Sequence, residues 1–161
     1  MVGTGVFRWV LFLSLCLFAT PVPAAETDPA PASLRLIELP QKPEAPALDL
    51  EDLTGREHDL AAYRGRVVVV NFWATWCAPC RKEFPSLERA WKRLEPAGVA
   101  LLAVSLGDRR ESVERFLRRF PVTFPILLSP DPTLGNLWQL QGMPTTYVID
   151  PTGRIYYGAI G

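Results

Sequence analysis

The sequence is most strongly constrained by a Cys-X-X-Cys pair that stands between an apolar run and a helical pattern. Residues 67–70 are continuously apolar, and Phe72 and Trp73 extend the run, which is typical of a strand buried on both faces. Apolar residues then recur at helical spacing, at Phe84, Leu87, Trp91 and Leu94. Between the two elements lies Cys77-Ala78-Pro79-Cys80. The pair therefore opens a helix that follows a buried strand.

From residue 47 onwards, strand and helix patterns alternate. Apolar runs predict strands at residues 67–72, 99–104, 125–128, 145–149 and 154–157. Helical spacing predicts helices at residues 80–95, 111–120 and 131–138. Acidic residues alternate with Leu48 and Leu50 before a turn at Thr54-Gly55, which predicts an N-terminal β-hairpin. The whole pattern predicts an α/β domain with a central mixed β-sheet flanked by helices.

The first 24 residues have the features of a secretory signal peptide. Arg8 precedes an apolar stretch at residues 9–19, and small residues around Ala24 offer a cleavage site. The stretch is shorter than the ~20 residues that span a bilayer, and a retained N-terminal membrane anchor is the alternative. Both interpretations predict a periplasmic or otherwise extracytoplasmic protein. Cys16 follows Leu15 instead of a small residue, so we do not expect a lipid anchor there.

Residues 25–46 are predicted to form a proline-rich tether ahead of a domain at residues 47–161. Five prolines interrupt every helical or strand period in this segment, at Pro29, Pro31, Pro40, Pro43 and Pro46. Residues 34–37 are the part of the tether whose pattern suits a short strand on the domain.

Composition limits the partners and cofactors. Lys+Arg and Asp+Glu both number 17, and this balance gives no reason to expect nucleic acid or an anionic membrane surface as a partner. Without residues 1–24 the cysteines are Cys77 and Cys80, and His58 is the single histidine of the chain. A second Cys pair is lacking, so a zinc site is not supported. Thiols tend to pair in an oxidising compartment, and we expect a redox-active Cys77–Cys80 disulfide with no metal or other cofactor.

The placement of the two cysteines predicts redox chemistry. Cys77 leads the helix, where unpaired N–H groups and the helix dipole favour a thiolate, and Arg81 and Lys82 add positive charge. Pro79 is tolerated in the first turn because its missing N–H would be unpaired there. We predict that Cys77 is the nucleophile and Cys80 the resolving thiol. The alternative, an inert structural disulfide, closes almost no loop and would stabilise the fold little.

Glu83 is a candidate proton relay. It follows Cys80 by three residues, so both side chains lie on one helix face. If that face is buried, the carboxylate lies near the resolving sulfur and can move a proton to or from it. A solvated surface carboxylate is the alternative.

Two parts of the sequence resemble a known family. The first, Asn71-Phe72-Trp73-Ala74-Thr75-Trp76-Cys77-Ala78-Pro79-Cys80, resembles the active-site segment of the thioredoxin superfamily. The resemblance narrows to exported TlpA/ResA-type thiol–disulfide oxidoreductases at Cys80-Arg81-Lys82-Glu83-Phe84-Pro85 and at Gly142-Met143-Pro144-Thr145-Thr146-Tyr147-Val148-Ile149-Asp150. It covers about residues 44–161. It implies a thioredoxin-like fold, reduction of disulfides in exported proteins, electrons from a membrane donor and often a role in cytochrome c maturation.

The resemblance also implies roles for single residues. That branch carries a functional Glu at the position of Glu83, whereas Asn71 replaces the buried Asp of cytoplasmic thioredoxins and so cannot itself be the relay. Met143-Pro144 resembles the cis-proline loop that lies against the Cys-X-X-Cys pair and pairs with an extended substrate segment; an ordinary trans proline at a strand start is the alternative. The implied substrate-binding residues are Trp76, Pro79, Met143, Pro144 and Thr145. For Trp76, core packing is the alternative to an exposed apolar rim.

The chain ends at Gly161, just after the last predicted strand, whereas the family closes with one more helix. We expect either that this closing helix is lacking or that the sequence is part of a longer chain. Along the last two strands, one face is expected to present the alternating apolar residues Tyr147, Ile149, Ile155 and Tyr157. A partner, or the tether around residues 34–39, would then cover that face.

Three other functions share parts of this pattern. An oxidase that introduces disulfides would use the same cysteines, and the redox potential separates it from a reductase. A peroxidase would carry a Thr three residues before the cysteine, where this chain has Ala74. The third is a non-enzymatic module that delivers metal or haem, although copper carriers of this kind need a further His and a wider Cys spacing. An assay of disulfide reduction separates that module from the enzymes.

Overall fold

The computed structural model describes residues 36–161. The predicted signal peptide, Cys16 and the first part of the predicted tether lie outside the described residues. Within the described range, the strands are β1 (Ile37–Glu38), β2 (Asp49–Glu51), β3 (Glu57–Asp59), β4 (Val68–Trp73), β5 (Ala100–Leu106), β6 (Ile126–Ser129), β7 (Thr145–Ile149) and β8 (Ile155–Ile160). The α-helices of the same range are α1 (Ala78–Leu94), α2 (Arg110–Leu117) and α3 (Leu134–Leu137).

Six of these strands form one mixed sheet in the order β1-β8-β7-β4-β5-β6. β4, β5 and β6 run parallel to one another, and β7, β8 and β1 add in antiparallel steps. β2 and β3 pair as a separate hairpin with Leu50 opposite His58. The predicted central mixed sheet and N-terminal hairpin are confirmed.

The central strands are buried because side chains pack on both faces of the sheet. Every residue of β5 is buried. On one face, rings from β4, α1 and α2 meet at Trp73, Phe84 and Phe116, with centroids 4.4 to 4.9 Å apart. On the other face, the ring centroid of Phe72 lies 5.0 Å from that of Trp138, just after α3. The continuous apolar runs of β4 and β5 follow from this two-sided cover.

Residues 37–46, part of the predicted tether, run alongside β8. The N–H of Leu39 donates to the carbonyl of Tyr156 at 2.9 Å, and the N–H of Ala45 donates to that of Gly153 at 2.9 Å. The side chains of Leu39 and Ala45 pack against the core. This part of the proline-rich segment is therefore held on the domain.

The last two strands do not present the exposed apolar face that we expected from Tyr147, Ile149, Ile155 and Tyr157. Ile149 and Ile155 are buried and Tyr147 is half-buried, so the expectation is wrong. The ring centroid of Trp138 lies 5.8 Å from that of Tyr147 and helps to cover this face, together with residues 37–46. A register shift between Val148 and Ile149 places Tyr157 opposite Val148, on the other face. An offset of one residue reverses every side chain beyond it, which alternation along the sequence does not reveal.

Candidate active site

The two cysteines lie where β4 ends and α1 begins. They form a disulfide with their Cα atoms 5.3 Å apart. The N–H of Cys80 donates to Sγ of Cys77 at 3.3 Å, so Cys77 caps the helix as predicted. Cys77 retains 5% exposure and Cys80 none. Of the two cysteines, Cys77 is therefore the one that keeps contact with the surface.

The carboxylate of Asp108 stabilises the loop that carries Cys77 by hydrogen bonds, and the sequence did not lead us to expect this. Asp108 accepts hydrogen bonds from the backbone N–H of Thr75 at 2.7 Å and from the Thr75 hydroxyl at 2.7 Å. It also accepts one from the Ser105 hydroxyl at 2.8 Å. Asp108 follows β5, whose carboxyl end lies beside that of β4 because Trp73 pairs with Ser105. A carboxylate directly after a buried strand was the signal that could have identified it.

Met143 and Pro144 face the cysteines from the loop before β7. The Met143–Pro144 peptide bond is cis, as predicted. The carbonyl oxygen of Met143 lies 3.5 Å from Sγ of Cys77. Pro144 is buried, and the hydroxyl of Thr145 donates to the carbonyl of Gly142 at 2.7 Å, which closes the loop on itself. The predicted loop and the predicted nucleophile are thus in contact.

Trp76 and Pro79 lie on the exposed rim of the site. The Trp76 side chain is 68% exposed beside Cys77, whereas Trp73 is buried in the core. Pro79 is exposed in the first turn of α1, as are Arg81 and Lys82. The rim therefore combines an aromatic ring with positive charge at the helix N-terminus.

Glu83 is buried one turn after Cys80, with 6% of the residue exposed. A solvated surface position is therefore excluded. Burial raises the pKa of its carboxyl, and a hydrogen bond from Asn71 opposes part of that rise. The amide nitrogen of Asn71 donates to Oε1 of Glu83 at 2.8 Å. The arrangement favours a carboxyl that stays protonated to higher pH than usual.

Asn71 cannot itself relay a proton, because an amide does not titrate, but it makes a second hydrogen bond. In the structure its amide nitrogen also donates to the hydroxyl of Thr146 at 3.0 Å. Asn71 and Thr146 are both buried. A polar residue in an otherwise apolar strand was the signal for this contact, but the sequence does not show which partners it meets.

His58, the single histidine, takes part in a separate cluster at the hairpin. Its Nε2 lies 3.0 Å from Oδ2 of Asp52 and its Nδ1 lies 2.6 Å from the Tyr63 hydroxyl. Burial raises the pKa of Asp52, but hydrogen bonds from Thr54, His58 and Arg56 outweigh it and lower the pKa to about 2. Both ring nitrogens of His58 are thus engaged within the fold.

Residues 36–161 contain no group of three or more His, Cys, Asp or Glu side chains arranged to hold a metal ion. Across the same residues, no helix has the length and apolar character needed to cross a membrane.

Comparison with known sequences supports the resemblance. The profile of the AhpC/TSA family matches residues 42–158. The thiol-disulfide oxidoreductase ResA of Geobacillus thermodenitrificans is 41% identical over 111 residues, covering 69% of this chain and 64% of that protein. ResA of Bacillus subtilis is 36% identical over 112 residues, covering 70% and 63%. The chain therefore spans just under two thirds of the length of these curated relatives.

The fold of the chain is similar to that of a solved structure. The crystal structure of a Chlorobium tepidum protein, described as thiol:disulfide interchange protein DsbE, is similar with a TM-score of 0.71. The two chains share 30% sequence identity, and the similarity covers 78% of this chain and 86% of that one. The predicted thioredoxin-like fold is confirmed.

Proposed function

The chain belongs to the AhpC/TSA family, within the thioredoxin superfamily, and we propose that it is an extracytoplasmic thiol–disulfide oxidoreductase that reduces disulfides of exported proteins. The observation that carries this proposal is the contact between Cys77 and the Met143 carbonyl at the N-terminus of α1. It joins the reactive sulfur to a backbone segment that an extended substrate can pair with. The names of the relatives support the same activity.

The reaction uses both cysteines. The thiolate of Cys77 attacks one sulfur of a substrate disulfide, which forms a mixed disulfide and releases the other substrate sulfur as a thiolate. The thiolate of Cys80 then attacks Sγ of Cys77 and displaces the second substrate sulfur. The substrate gains two electrons and the two cysteines lose them as the Cys77–Cys80 disulfide forms. This oxidised state is the one in the structure, and a dithiol donor returns it to the reduced state.

The position of Cys77 lowers the barrier to the first attack. The unpaired N–H groups at the start of α1 stabilise a thiolate there, and Arg81 and Lys82 add positive charge. Cys80 lies inside the first turn and is fully buried, so it reacts after Cys77 has formed the mixed disulfide.

Glu83 is proposed to exchange the proton of the resolving thiol. It lies on the buried face of α1 one turn after Cys80, where burial raises its pKa. A carboxyl with a raised pKa holds and releases a proton closer to neutral pH than an ordinary one. Glu83 then accepts the Cys80 proton as the second attack begins.

Trp76, Pro79, Met143, Pro144 and Thr145 are proposed to bind the substrate segment. Trp76 supplies an exposed aromatic surface next to the sulfur. Met143 supplies a backbone carbonyl at the same sulfur. The hydrogen bond from the Thr145 hydroxyl to the Gly142 carbonyl stabilises the conformation of the loop that carries Met143.

The cellular setting is proposed from the sequence. The signal segment at residues 1–24, cleaved or kept as an anchor, would place the domain outside the cytoplasm. A membrane-bound dithiol donor would then supply electrons, and proteins of cytochrome c maturation are proposed substrates, as the TlpA/ResA resemblance implies. The balance of charged residues supports no nucleic-acid partner.

Reduction of insulin disulfides, with dithiothreitol as the electron donor, tests the proposal. We expect the wild-type chain to accelerate reduction, Cys77→Ser to abolish the acceleration, and Cys80→Ser to keep only the part that dithiothreitol supports by releasing the mixed disulfide. In the uncleaved chain, Cys16→Ser is the matched control and should keep the wild-type rate. A Cys77→Ser protein that reduces insulin as fast as the wild type would overturn the proposal.

A further inference from the structure

The surface around Cys77 carries an excess of positive charge. Three segments meet at this sulfur: residues 74–82 at the start of α1, residues 105–110 between β5 and α2, and residues 138–146 before β7. The exposed charged side chains of these segments are those of Arg81, Lys82 and Arg109. We call these three residues the basic rim.

The basic rim comes from two elements. Arg81 follows Cys77 by four residues, about one helical turn, and its N–H donates to the carbonyl of Cys77 at 3.2 Å. Arg109 directly follows Asp108, whose carboxylate accepts the N–H of Thr75 at 2.7 Å. Thr75 is two residues before Cys77. Both the start of α1 and the loop before α2 therefore bring a cation to the site.

Two carboxylates near the basic rim are buried. Asp108 accepts three hydrogen bonds, two from the loop before Cys77 and one from β5. Glu83 is buried on α1, and burial raises the pKa of its carboxyl, which favours the uncharged form. Glu111, in the first turn of α2, is the first exposed acid after Arg109. A protein segment that approaches Cys77 therefore meets exposed cations from two elements.

The rest of this surface is uncharged. Arg110 is half-buried and donates to the carbonyl of Leu53 at 2.8 Å, which holds it against the N-terminal hairpin. Residues 138–146 include no charged residue, and Trp76 presents an aromatic surface. The zero net charge of the whole sequence does not reveal this local excess.

Complementary charge steers the encounter of two proteins and selects among partners. We propose that the basic rim selects substrate disulfides with acidic flanking residues, whose Asp and Glu side chains pair with Arg81, Lys82 and Arg109. This inference rests on the proposed function and names the class of segment on which it acts. The bonds formed and broken are those described above, because the basic rim acts on the encounter that precedes the attack by Cys77.

The intrinsic preference of a thiolate has the opposite sign. A thiolate is negatively charged, so it approaches a disulfide flanked by Lys more readily than one flanked by Asp. Dithiothreitol has no basic rim and should follow this intrinsic order. A preference of the protein for acidic flanks would therefore report the basic rim and not the chemistry of the sulfur.

Three peptides with the same intramolecular disulfide, flanked by Asp, Asn or Lys, provide the test. The rate constants of their reduction by the pre-reduced protein are measured by quenched flow, with dithiothreitol as the reference reductant. At about 0.01 M salt we expect the Asp-flanked peptide to react roughly tenfold faster than the Lys-flanked one, since each exposed ion pair contributes about 1.5- to 5-fold. The ratio should approach one at about 1 M salt, where the Debye length is ~3 Å.

Charge reversal locates the effect. Arg109→Glu should lower the ratio roughly threefold, and Arg81→Glu/Arg109→Glu should make the Lys-flanked peptide the faster substrate. Any change in the reactivity of Cys77 cancels in a ratio measured on one variant. Arg118→Glu is the matched control and should keep the wild-type ratio, since Arg118 is exposed about 13 Å further along α2. Lys82→Glu repeats the test if an Arg variant fails to fold.

Three results would overturn the inference. Equal rates for the peptides, or the order given by dithiothreitol, would show that the basic rim does not select substrates, while the proposed function would stand. An equal loss of preference in Arg109→Glu and Arg118→Glu would assign the preference to net charge instead of the basic rim. A wild-type protein that reduces neither the peptides nor insulin would remove the proposed function as well.

Discussion

The Sγ atom of Cys77 lies 3.5 Å from the carbonyl oxygen of Met143, although 66 residues separate them in the chain. The contact joins the start of α1 to the loop that precedes β7. It places a backbone acceptor directly beside the sulfur that is proposed to carry the substrate. Residues from two distant segments therefore lie together at the proposed site.

We predict that Cys77 reacts before Cys80. Alkylation of the reduced protein with iodoacetamide at neutral pH should label Cys77 first, since Cys80 is fully buried and Cys77 is not. Peptide mass spectrometry after short exposure measures the order. Preferential labelling of Cys80 would reverse the two roles.

Cys80→Ser should trap substrates as mixed disulfides with Cys77. The first attack remains possible in this variant, and the second does not occur because the resolving thiol is gone. Non-reducing gels should show adducts that dithiothreitol releases. The double variant Cys77→Ser/Cys80→Ser is the control and should form none.

Glu83→Gln should change the pH dependence of insulin reduction. The amide keeps the size of the carboxyl but cannot take the Cys80 proton, so we expect a rate at neutral pH lower by roughly 100-fold, the low end for a general acid or base. A circular dichroism spectrum like that of the wild type would show that the fold persists. An unchanged pH profile would leave Glu83 without a catalytic role.

The same substitution should also change how stability depends on pH. Burial raises the pKa of Glu83 above its ordinary value of 4.5, with the Asn71 hydrogen bond opposing part of the rise. Folding therefore favours the protonated form of Glu83. The contribution of this form to the stability of the fold is complete below pH 4.5 and is lost as the pH rises through the raised pKa. The melting temperature of Glu83→Gln relative to wild type should increase with pH over that window.

Glu88→Gln is a control on the same helix, for which we expect the opposite dependence of stability on pH. Burial acts to raise the pKa of Glu88, but hydrogen bonds from Thr123 and Lys92 outweigh it and lower the pKa. Its ionised form therefore stabilises the fold above 4.5, and that contribution is lost as pH falls through the lowered pKa. Glu88→Gln should destabilise most at neutral pH. Equal pH trends for the two variants would show that burial of Glu83 does not raise its pKa.

Asp108→Ala should loosen the loop before Cys77. Two donors of Thr75 and the hydroxyl of Ser105 lose their acceptor, and each buried donor left unpaired costs about 1–3 kcal/mol. We expect a melting temperature lower by at least ~4 °C, since each kcal/mol is about that for a domain of this size. Insulin reduction should slow as well.

Asp131→Ala is the matched control, because Asp131 accepts the same pair of hydrogen bonds from Thr133 at an exposed position. Water replaces those bonds, so the loss of stability should be smaller. Equal losses in the two variants would contradict the role given to Asp108.

Much of the fold follows from the sequence because burial leaves a local pattern. The runs that became β4 and β5 are apolar since both faces of the sheet are covered, and the Cys77–Cys80 pair indicates a helix start because it stands between such a run and a helical pattern. The contacts of Asn71 and Asp108 were not predictable in this way. Each depends on residues brought together by strand pairing, such as Thr146 beside Asn71.

The structure of the predicted tether and of the last hairpin also could not be predicted from local sequence patterns. The prolines at residues 40–46 exclude regular helix, but they do not exclude backbone hydrogen bonds to an edge strand such as β8. The register shift beside Val148 reverses the face of Tyr157, and its position depends on the pairing of β7 and β8. Patterns within one segment do not report on such pairing.

The reduction potential of the Cys77–Cys80 disulfide tests the central claim most directly. It is measured by equilibrating the protein with mixtures of oxidised and reduced dithiothreitol and quantifying the free thiols of Cys77 and Cys80. A reductase of exported disulfides should have a potential close to that of thioredoxin, about −270 mV. A potential near −120 mV, as in the strong oxidant DsbA, would contradict the account and indicate that the chain introduces disulfides.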